Sequence, residues 1–363
     1  MEHSIMDNND VRVGKNDGTT SDVDEQKIDV DNIEQRKMDG ATNGVKEPQE
    51  RNYKIIVDST ADFTRDMWQK LKDDVMLVPL HLEPAELEEL SLDKYYKYLR
   101  THGSDEDHVQ TSSSTLDEAQ SVIGRAFAEG YDVIYLTMAR SLSRGSYQIA
   151  TMASERMQVK YLKRKITVMD SGCASTGLGL LVERLVERHL PYNEAIKFIR
   201  DEAPKIIHIF TVDNFTSLIK GGRFDEASRS LAVRMLTWKP VQKLLRLMGI
   251  FAKIIIGFYD GVGEKSMMPL RLKLGRKRLI KGFIREIRRY LPEESPATPD
   301  IIIAYAGDKE LADKIYDALY IQAPGLPSRV RFGRIGKVMG AHCGETATAV
   351  FFWGTRKLTK NGK

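Results

Sequence analysis

Residues 53–60, YKIIVDST, are a short apolar run with a polar end. Residues 61–74, ADFTRDMWQKLKDD, follow at once and space Phe63, Met67 and Leu71 along one face of a helix. The apolar run is typical of a buried strand and the polar residues of the loop after it. Together the two stretches predict the start of a strand, loop and helix unit.

The same alternation continues through the first half of the ordered chain. Further apolar runs are VMLVPLHL at 75–82, DVIYLTM at 132–138 and KITVMDS at 165–171, and stretches with helical spacing lie between them. Each run is interpreted as one strand. Strands that alternate with helices of this length favour right-handed βαβ units on a parallel sheet. Ligands of such sheets bind beyond the carboxyl ends of the strands.

The second half has a different pattern, which predicts a second, mixed α/β domain. Its strand-like runs are IIHIFTVD at 206–213, KIIIGFYDG at 253–261 and IIIAYAG at 301–307. Residues 329–354 are interpreted as a strand, a tight glycine-rich loop that contains His342, and a second strand. The domains are therefore predicted to span 51–205 and 206–358.

Composition limits the class of protein. The chain has 363 residues, a net charge of +4 and 42% hydrophobic residues, which is ordinary for a globular protein. No apolar run approaches the roughly 20 residues of a membrane-spanning helix. The two cysteines, Cys173 and Cys343, stand far apart and outside any Cys/His cluster, so neither a disulfide scaffold nor a zinc site is predicted. We expect a cytoplasmic protein.

Residues 1–50 differ in charge from the rest of the chain. They hold thirteen acidic and six basic residues, a net of −7, so the remainder carries +11. They contain no Phe, Tyr or Trp. Such a segment is predicted to be a disordered acidic tail. It is either simply solvated or an intramolecular cover for the basic body.

Small hydroxyl residues collect in four loops next to predicted strand ends or helix starts. The loops are 58–60, 110–115, 141–146 and 170–172. One interpretation is helix capping, because Ser, Thr and Asp accept hydrogen bonds from the first N–H groups of a helix. The other is that the loops meet at one edge of the sheet, where hydroxyls and helix N-termini suit a carboxylate or phosphate.

No nucleotide motif accompanies these loops. The chain contains neither Gly-x-x-x-x-Gly-Lys-Ser/Thr nor the Gly-x-Gly-x-x-Gly fingerprint. A hydrolase or transferase that uses Ser143 and His342 is an alternative, although the Gly-x-Ser-x-Gly elbow is absent. His342 is interpreted either as a structural histidine or as a ring that orients a ligand-binding hydroxyl. Arg223, after Gly221 and Gly222, is predicted to be an exposed anion or partner contact.

A basic segment covers residues 271–289, with nine basic residues and one acidic residue. Leu279, Phe283 and Ile287 recur every fourth position, which predicts an amphipathic helix with a basic outer face. That face is interpreted as solvated, as a contact for a protein or a membrane surface, or, less favoured, as a nucleic-acid site.

Six motifs occur in an order that resembles the DegV family of fatty-acid-binding proteins. They are IIVDSTAD at 55–62, Thr-Ser at 111–112, the serine-rich element at 141–148, VMDSGCASTGLGLLV at 168–182, Gly-Gly-Arg at 221–223 and Gly-Ala-His at 340–342. The resemblance covers about residues 53–355 and excludes the acidic tail.

The resemblance implies an α/β protein of two domains: an α/β/α domain with a parallel sheet, and an α+β domain with a mostly antiparallel sheet. It implies a long-chain fatty acid as ligand and no cofactor or catalytic residue. Thr111, Ser143 and His342 would hold the carboxylate. The neighbouring loop residues Ser59, Ser112, Gly145 and Ser146 are further candidates, and Arg144 leaves open whether Ser143 or Ser146 faces the ligand. The carrier would present the carboxylate to a separate fatty-acid kinase for phospholipid metabolism, with a transient membrane contact and no nucleic acid.

Overall fold

A computed structural model describes residues 52–102, 109–212, 252–258, 267–291, 301–322, 330–355 and 358. The predicted disordered tail at 1–50 and the predicted partner contact Arg223 lie outside these residues. Within them, no helix is both long and apolar enough to cross a membrane.

The described strands form three sheets. Four parallel strands in the order β2-β1-β5-β6 make the parallel sheet, and β3 pairs with β4 in a small antiparallel sheet. The mixed sheet has the order β11-β10-β12-β7-β8-β9, and only β10 and β11 are parallel. The strands are β1 Tyr53–Asp58, β2 Val75–Val78, β3 His81–Glu83, β4 Gln110–Ser112, β5 Asp132–Thr137, β6 Ile166–Asp170, β7 Ile206–Thr211, β8 Ala252–Phe258, β9 Met267–Leu274, β10 Ile301–Tyr305, β11 Val330–Arg334 and β12 Thr348–Trp353.

Nine α-helices lie within the described residues, together with short 3-10 turns such as Ser59–Ala61. The helices are α1 Arg65–Leu71, α2 Leu92–His102, α3 Leu116–Ala128, α4 Arg144–Lys160, α5 Thr176–Glu187, α6 Tyr192–Glu202, α7 Arg276–Tyr290, α8 Glu310–Gln322 and α9 Lys337–Cys343. The parallel sheet beside a separate, mostly antiparallel sheet confirms the predicted fold class.

The elements stack in layers because the parallel sheet and the mixed sheet each pack apolar side chains on both faces. Helices α3 and α4 cover the outer face of the parallel sheet, and α7 and α8 cover the outer face of the mixed sheet. The inner faces of the two sheets contribute to one apolar cluster, which also contains α5. Ten of the twelve residues of α5 are buried. The two halves therefore share a core around α5, while the predicted boundary at residue 205 stays a prediction.

Three local predictions are wrong. The basic segment 271–289 is not helical throughout, because residues 271–274 belong to β9 and helix α7 begins at Arg276. VMLVPLHL is not one strand: β2 ends at Val78 and belongs to the parallel sheet, whereas β3 begins at His81 and pairs with β4. Pro79 between them has no N–H for a continued ladder. His342 does not lie in a loop but in helix α9, which begins after Gly336 and ends before Gly344.

Candidate functional site

A cavity of about 150 Å³ opens where the two halves of the chain meet. It lies between strand β4, the loop that leads into α4, and helix α9. Its lining residues are Leu80, Thr111, Ser112, Ser113, Met138, Leu142, Ser143, Met267, Val338, Met339, His342 and Cys343. Thr111, Ser143 and His342, which are far apart in the sequence, thus line one cavity. We call it the hydroxyl cavity.

Thr111 and His342 are in direct contact in this cavity. Thr111 Oγ1 lies 2.9 Å from His342 Nε2, and both side chains are half-buried. When Nε2 carries the proton, the ring donates to Oγ1 and the threonine O–H is left to donate to a third group. The pair can therefore orient a hydroxyl donor towards an anion in the cavity.

Three serine hydroxyls form a chain behind this pair. Ser143 Oγ is 2.8 Å from Ser146 Oγ, which is 3.3 Å from Ser113 Oγ. Ser143 also caps α4 by accepting a hydrogen bond from the Ser146 N–H. Ser143 lines the cavity and Ser146 is buried behind it. A Cβ on Gly145 would lie 2.8 Å from Ser113 Oγ, so the glycine allows α4 to approach β4 closely.

A second cavity, of about 50 Å³, adjoins the first and is almost wholly apolar. The two cavities share four lining residues, Leu142, Met267, Met339 and Cys343. The second cavity, which we call the apolar cavity, extends between the loop that leads into α5 and the inner face of the mixed sheet. Its other lining residues are Ala174, Ser175, His208, Phe210, Phe258, Ile335, Ala347, Ala349 and Phe351.

His208 contributes little polarity to the apolar cavity because both ring nitrogens are hydrogen-bonded to the backbone. Nε2 accepts from Ala174 N at 3.2 Å, and Nδ1 donates to Ile206 O at 3.1 Å. Burial lowers the pKa of His208 to about 4, so the ring is neutral near pH 7. The ring packs edge-on against Phe258 and Phe351. An apolar chain can lie along these rings without leaving a polar group unpaired.

Helix α9 is held in place by a buried carboxyl and by two tyrosines. Asp62 accepts hydrogen bonds from Ser175 Oγ and from the backbone of Gly336. Tyr95 and Tyr96 of α2 donate to Lys337 O and Ile335 O, at 3.0 and 2.7 Å. Burial raises the pKa of Asp62 to about 7, although both hydrogen bonds oppose that rise. These contacts position the helix that carries His342.

Asp58 is a second buried carboxyl, at the end of β1. Its Oδ2 accepts from Met138 N at 2.7 Å, and its Oδ1 has no partner among the described residues. Burial raises the pKa of Asp58 to about 7. The hydrogen bond fixes the backbone of Met138, which lines the hydroxyl cavity.

The other predicted loop residues have separate positions. Ser112 lines the hydroxyl cavity, whereas Ser59 lies outside its lining. Ser59 Oγ instead accepts from Leu80 N at 2.9 Å. Asp170 accepts from Gly172 N in its own loop and from Arg140 N, and Ser171 accepts from Cys173 N. Ser59 and the 170–172 loop thus neither line the hydroxyl cavity nor cap a helix, because the N–H groups that they bind lie in loops.

Sequence reasoning missed Ser113, Cys343 and the methionines of the lining. Ser113 belongs to the predicted 110–115 loop, so its hydroxyl could have been included among the candidate ligand-binding residues. Met138, Met267 and Met339 carry no polar signal, because methionine is common throughout protein cores.

Ser143 and His342 are each engaged with other hydroxyls. Ser143 Oγ bonds to Ser146, and His342 Nε2 contacts Thr111. A nucleophile and its base need a mutual hydrogen bond, so this arrangement favours anion binding over the alternative hydrolase. Within the described ranges, no three His, Cys, Asp or Glu side chains gather to hold a metal ion.

Comparisons with known proteins agree with this architecture. A family model described as "uncharacterised protein, DegV family" matches residues 52–355. A DegV domain-containing protein of Clostridium perfringens is 24% identical over 85% of this chain and 99% of its own length. A fatty acid-binding protein of Thermotoga maritima is 28% identical over 67% of this chain and 78% of its own length.

A solved structure shows the same fold. It is that of a stearic acid-binding protein from Eubacterium ventriosum, with a TM-score of 0.63, 20% identity, and coverage of 83% of this chain and 98% of that protein. Since the family model spans most of the sequence, including every residue that lines the two cavities, the chain belongs to the DegV family.

Proposed function

We propose that this protein binds one long-chain fatty acid, with the carboxylate in the hydroxyl cavity and the acyl chain in the apolar cavity. The observation that carries the proposal is that a hydroxyl-lined and an apolar cavity lie side by side and share four lining residues. The contact between Thr111 and His342 lies in one, and the aromatic lining around His208 lies in the other. The names of the relatives from Thermotoga maritima and Eubacterium ventriosum support the same ligand class.

The apolar cavity and the hydroxyl cavity contribute differently to binding: the first supplies most of the affinity for the fatty acid, and the second sets its orientation. Burying each methylene contributes about 0.8 kcal/mol, so the acyl chain supplies most of the binding free energy. The Thr111 hydroxyl, oriented by His342, and the Ser143 hydroxyl donate to the carboxylate. Hydrogen bonds to a charged group contribute about 1.5–3 kcal/mol. These donors fix which end of the ligand enters the apolar cavity.

Native mass spectrometry of the full chain as purified tests the ligand. The expected result is a single adduct of fatty-acid mass, which lipid analysis after denaturation identifies as an acyl chain. If the protein is empty and also fails to take up added stearate, the proposal is wrong. Octadecan-1-ol, which has the same chain length as stearate, serves as the control ligand, because it lacks the carboxylate and should bind more weakly.

The carrier would present its carboxylate to a separate fatty-acid kinase and would itself catalyse no reaction. The support is positional: Ser112, beside the proposed carboxylate site, is exposed. The test supplies the loaded protein, a fatty-acid kinase and ATP, and traps acyl phosphate with hydroxylamine. Acyl hydroxamate should form only with the loaded carrier. Formation at the same rate from free fatty acid alone would contradict a presenting role.

A further inference from the structure

Helix α7 has an exposed face that consists only of cations. Its apolar side, which includes Leu279, Phe283 and Ile287, is buried against the mixed sheet. The exposed residues of the helix are Lys277, Arg278, Lys281, Arg285, Arg288 and Arg289. At 100° per residue, the first five lie within an arc of about 100°. We call these five the basic face.

The cations next to the basic face have carboxylate partners, whereas those of the face have none among the residues that the structure describes. Arg276 pairs with Glu310, and Arg271 and Arg289 both lie against Glu286. Within the described parts of the chain, no carboxylate lies within ion-pair distance of any of the five side chains of the basic face. Like charges on neighbouring turns repel each other, so an anionic occupant would stabilise this helix.

The chain itself contains a segment of matching charge. Residues 22–34 hold six acidic residues, Asp22, Asp24, Glu25, Asp29, Asp31 and Glu34, and one basic residue, for a net of −5. This segment lies outside the described residues and joins the fold through Asn52. Covalent attachment gives a tethered segment an effective concentration of about millimolar. A free anion of similar charge must compete with that concentration.

We infer that the acidic segment 22–34 docks on the basic face of α7 in the same molecule. The attraction is electrostatic, between six carboxylates and five cations that have no carboxylate partner within the described part of the chain. The inference does not depend on the proposed ligand, because no residue of the basic face lines either cavity.

The side chains of the basic face make other occupants less suitable. A membrane-surface helix inserts apolar residues beneath its cations, and no residue of the exposed α7 surface is apolar. The exposed Leu272 and Leu274 of β9 alternate with Arg271 and Lys273, which contact α7, so the leucines point to the opposite side of the sheet. Single-stranded nucleic acid binds through exposed aromatic rings, whereas the aromatic residues of α7, Phe283 and Tyr290, are buried.

Zero-length carbodiimide cross-linking of the full chain, followed by peptide mass spectrometry, tests the docking. The reagent joins a carboxylate to a lysine amine with which it is in contact, and the basic face offers Lys277 and Lys281. Cross-links from residues 22–34 to these lysines should exceed those to the exposed Lys163 and Lys197 by about fivefold or more. They should fall in about 0.5 M NaCl, where exposed charges are screened.

Two matched variants sharpen the test. Arg278→Glu/Arg285→Glu/Arg288→Glu reverses the charge of the face but keeps both reporter lysines, and should reduce the cross-links by about fivefold or more. The control variant is Arg156→Glu/Lys160→Glu/Arg200→Glu, which makes the same change in net charge on the exposed surfaces of α4 and α6. It should leave the yield of cross-links unchanged. Circular dichroism verifies that both variants fold.

Four results would overturn the inference. One is an equal yield of cross-links at Lys163 or Lys197, and another is their persistence after charge reversal of the basic face. The third comes from a mixture of ¹⁵N-labelled and unlabelled chains: mixed-isotope cross-links would assign the face to a second copy. Binding of phosphatidylglycerol vesicles or DNA to the unmodified chain, without cross-links to 22–34, would likewise assign the face to an external anion.

Discussion

Asp58 connects a buried charge to the pH dependence of stability. The folded-state pKa is raised to about 7 by burial, whereas an unfolded aspartate has a pKa of about 3.9. The folded state therefore binds the proton more tightly, so the contribution of Asp58 to stability is complete below about pH 4 and is lost as the pH rises to about 7. Above that range its contribution no longer changes.

Replacement of Asp58 by asparagine should flatten this dependence. In urea unfolding, the parent protein should lose on the order of a few kcal/mol between pH 4 and pH 8 through this carboxyl, and Asp58→Asn should lose correspondingly less. Asp201→Asn, at an exposed position of α6, is the control and should keep the parent's slope. An unchanged slope in Asp58→Asn would show that Asp58 does not titrate in this range.

Thr111 is the residue on which the proposed carboxylate site depends most. Thr111→Val keeps the side-chain shape but removes the hydroxyl that His342 orients. Fatty-acid affinity, measured by displacement of a fluorescent fatty acid, should fall roughly ten- to hundredfold, since a hydrogen bond to a charge is lost. Thr101→Val, at an exposed hydroxyl that bonds to Lys97 O and Tyr98 O, should bind as the parent does. If Thr111→Val binds the fatty acid as tightly as the parent does, Thr111 does not hold the carboxylate.

Residue types alone offered the meeting of hydroxyl loops as one of two interpretations and did not show which hydroxyls line the cavity. Ser143 and Ser146 are equivalent in composition, and only the start of α4 places one in the lining and the other behind it. Ser59 resembled a ligand residue equally well, yet its hydroxyl accepts from Leu80 N. Side-chain direction at a loop depends on backbone rotation, which periodicity does not encode.

Helix α9 depends on close contact between Gly340 and the ring of Tyr96. A Cβ on Gly340 would lie 2.9 Å from a ring carbon of the buried Tyr96. Gly340→Ala should lower the free energy of unfolding by about 1–3 kcal/mol, as overpacking does. It should also weaken fatty-acid binding, because the displaced helix carries His342 away from Thr111. Urea unfolding and ligand titration measure the two effects.

A helical glycine with more room provides the control for that prediction. At Gly124 in α3, the nearest atom to an added Cβ is the terminal methyl of Met157, at 3.0 Å. That flexible side chain can move, so Gly124→Ala should be neutral or stabilise by up to about 1 kcal/mol through helix propensity. If Gly340→Ala and Gly124→Ala lower the free energy of unfolding equally, the contact with Tyr96 is not the reason that position 340 requires a glycine.

Regular alternation of strands and helices was predictable because burial imposes it on the sequence. The errors arose where long-range contacts decide the local structure. Glycines disfavour helix by about 1 kcal/mol each, yet α9 forms around Gly340 because α2 holds its first turn through Tyr95 and Tyr96. Likewise, the run 75–82 has uniform apolar character, and only its pairing partners divide it between two sheets.

At the scale of the whole molecule, one buried ion pair joins α5 to the mixed sheet. Arg331 of β11 donates two hydrogen bonds to Glu183 of α5, at 2.8 and 2.6 Å, and Glu183 is 3% exposed. Glu183→Gln should lower the free energy of unfolding by about 3–5 kcal/mol, because a buried guanidinium loses its counter-charge. Urea unfolding followed by circular dichroism measures the loss.

A surface ion pair on the same helix shows how much burial adds to the stabilisation by an ion pair. Glu187 lies 3.9 Å from Arg184 on the exposed side of α5, and Glu187→Gln should change the free energy of unfolding by less than about 1 kcal/mol. Similar losses in the two variants would mean that the pair with Arg331 does not link the helix to the sheet.

The burial of α5 on nearly all sides also determines how its backbone meets solvent. A helix on the surface can open locally, but α5 has packed neighbours from both sheets and is buried at ten of twelve positions. Its amide hydrogens can reach water only when both halves separate. They should therefore exchange with deuterium at the rate of global unfolding. Amides near the exposed end of α2 should exchange orders of magnitude faster. The exchange rate of the α5 amides therefore reports the free energy of global unfolding.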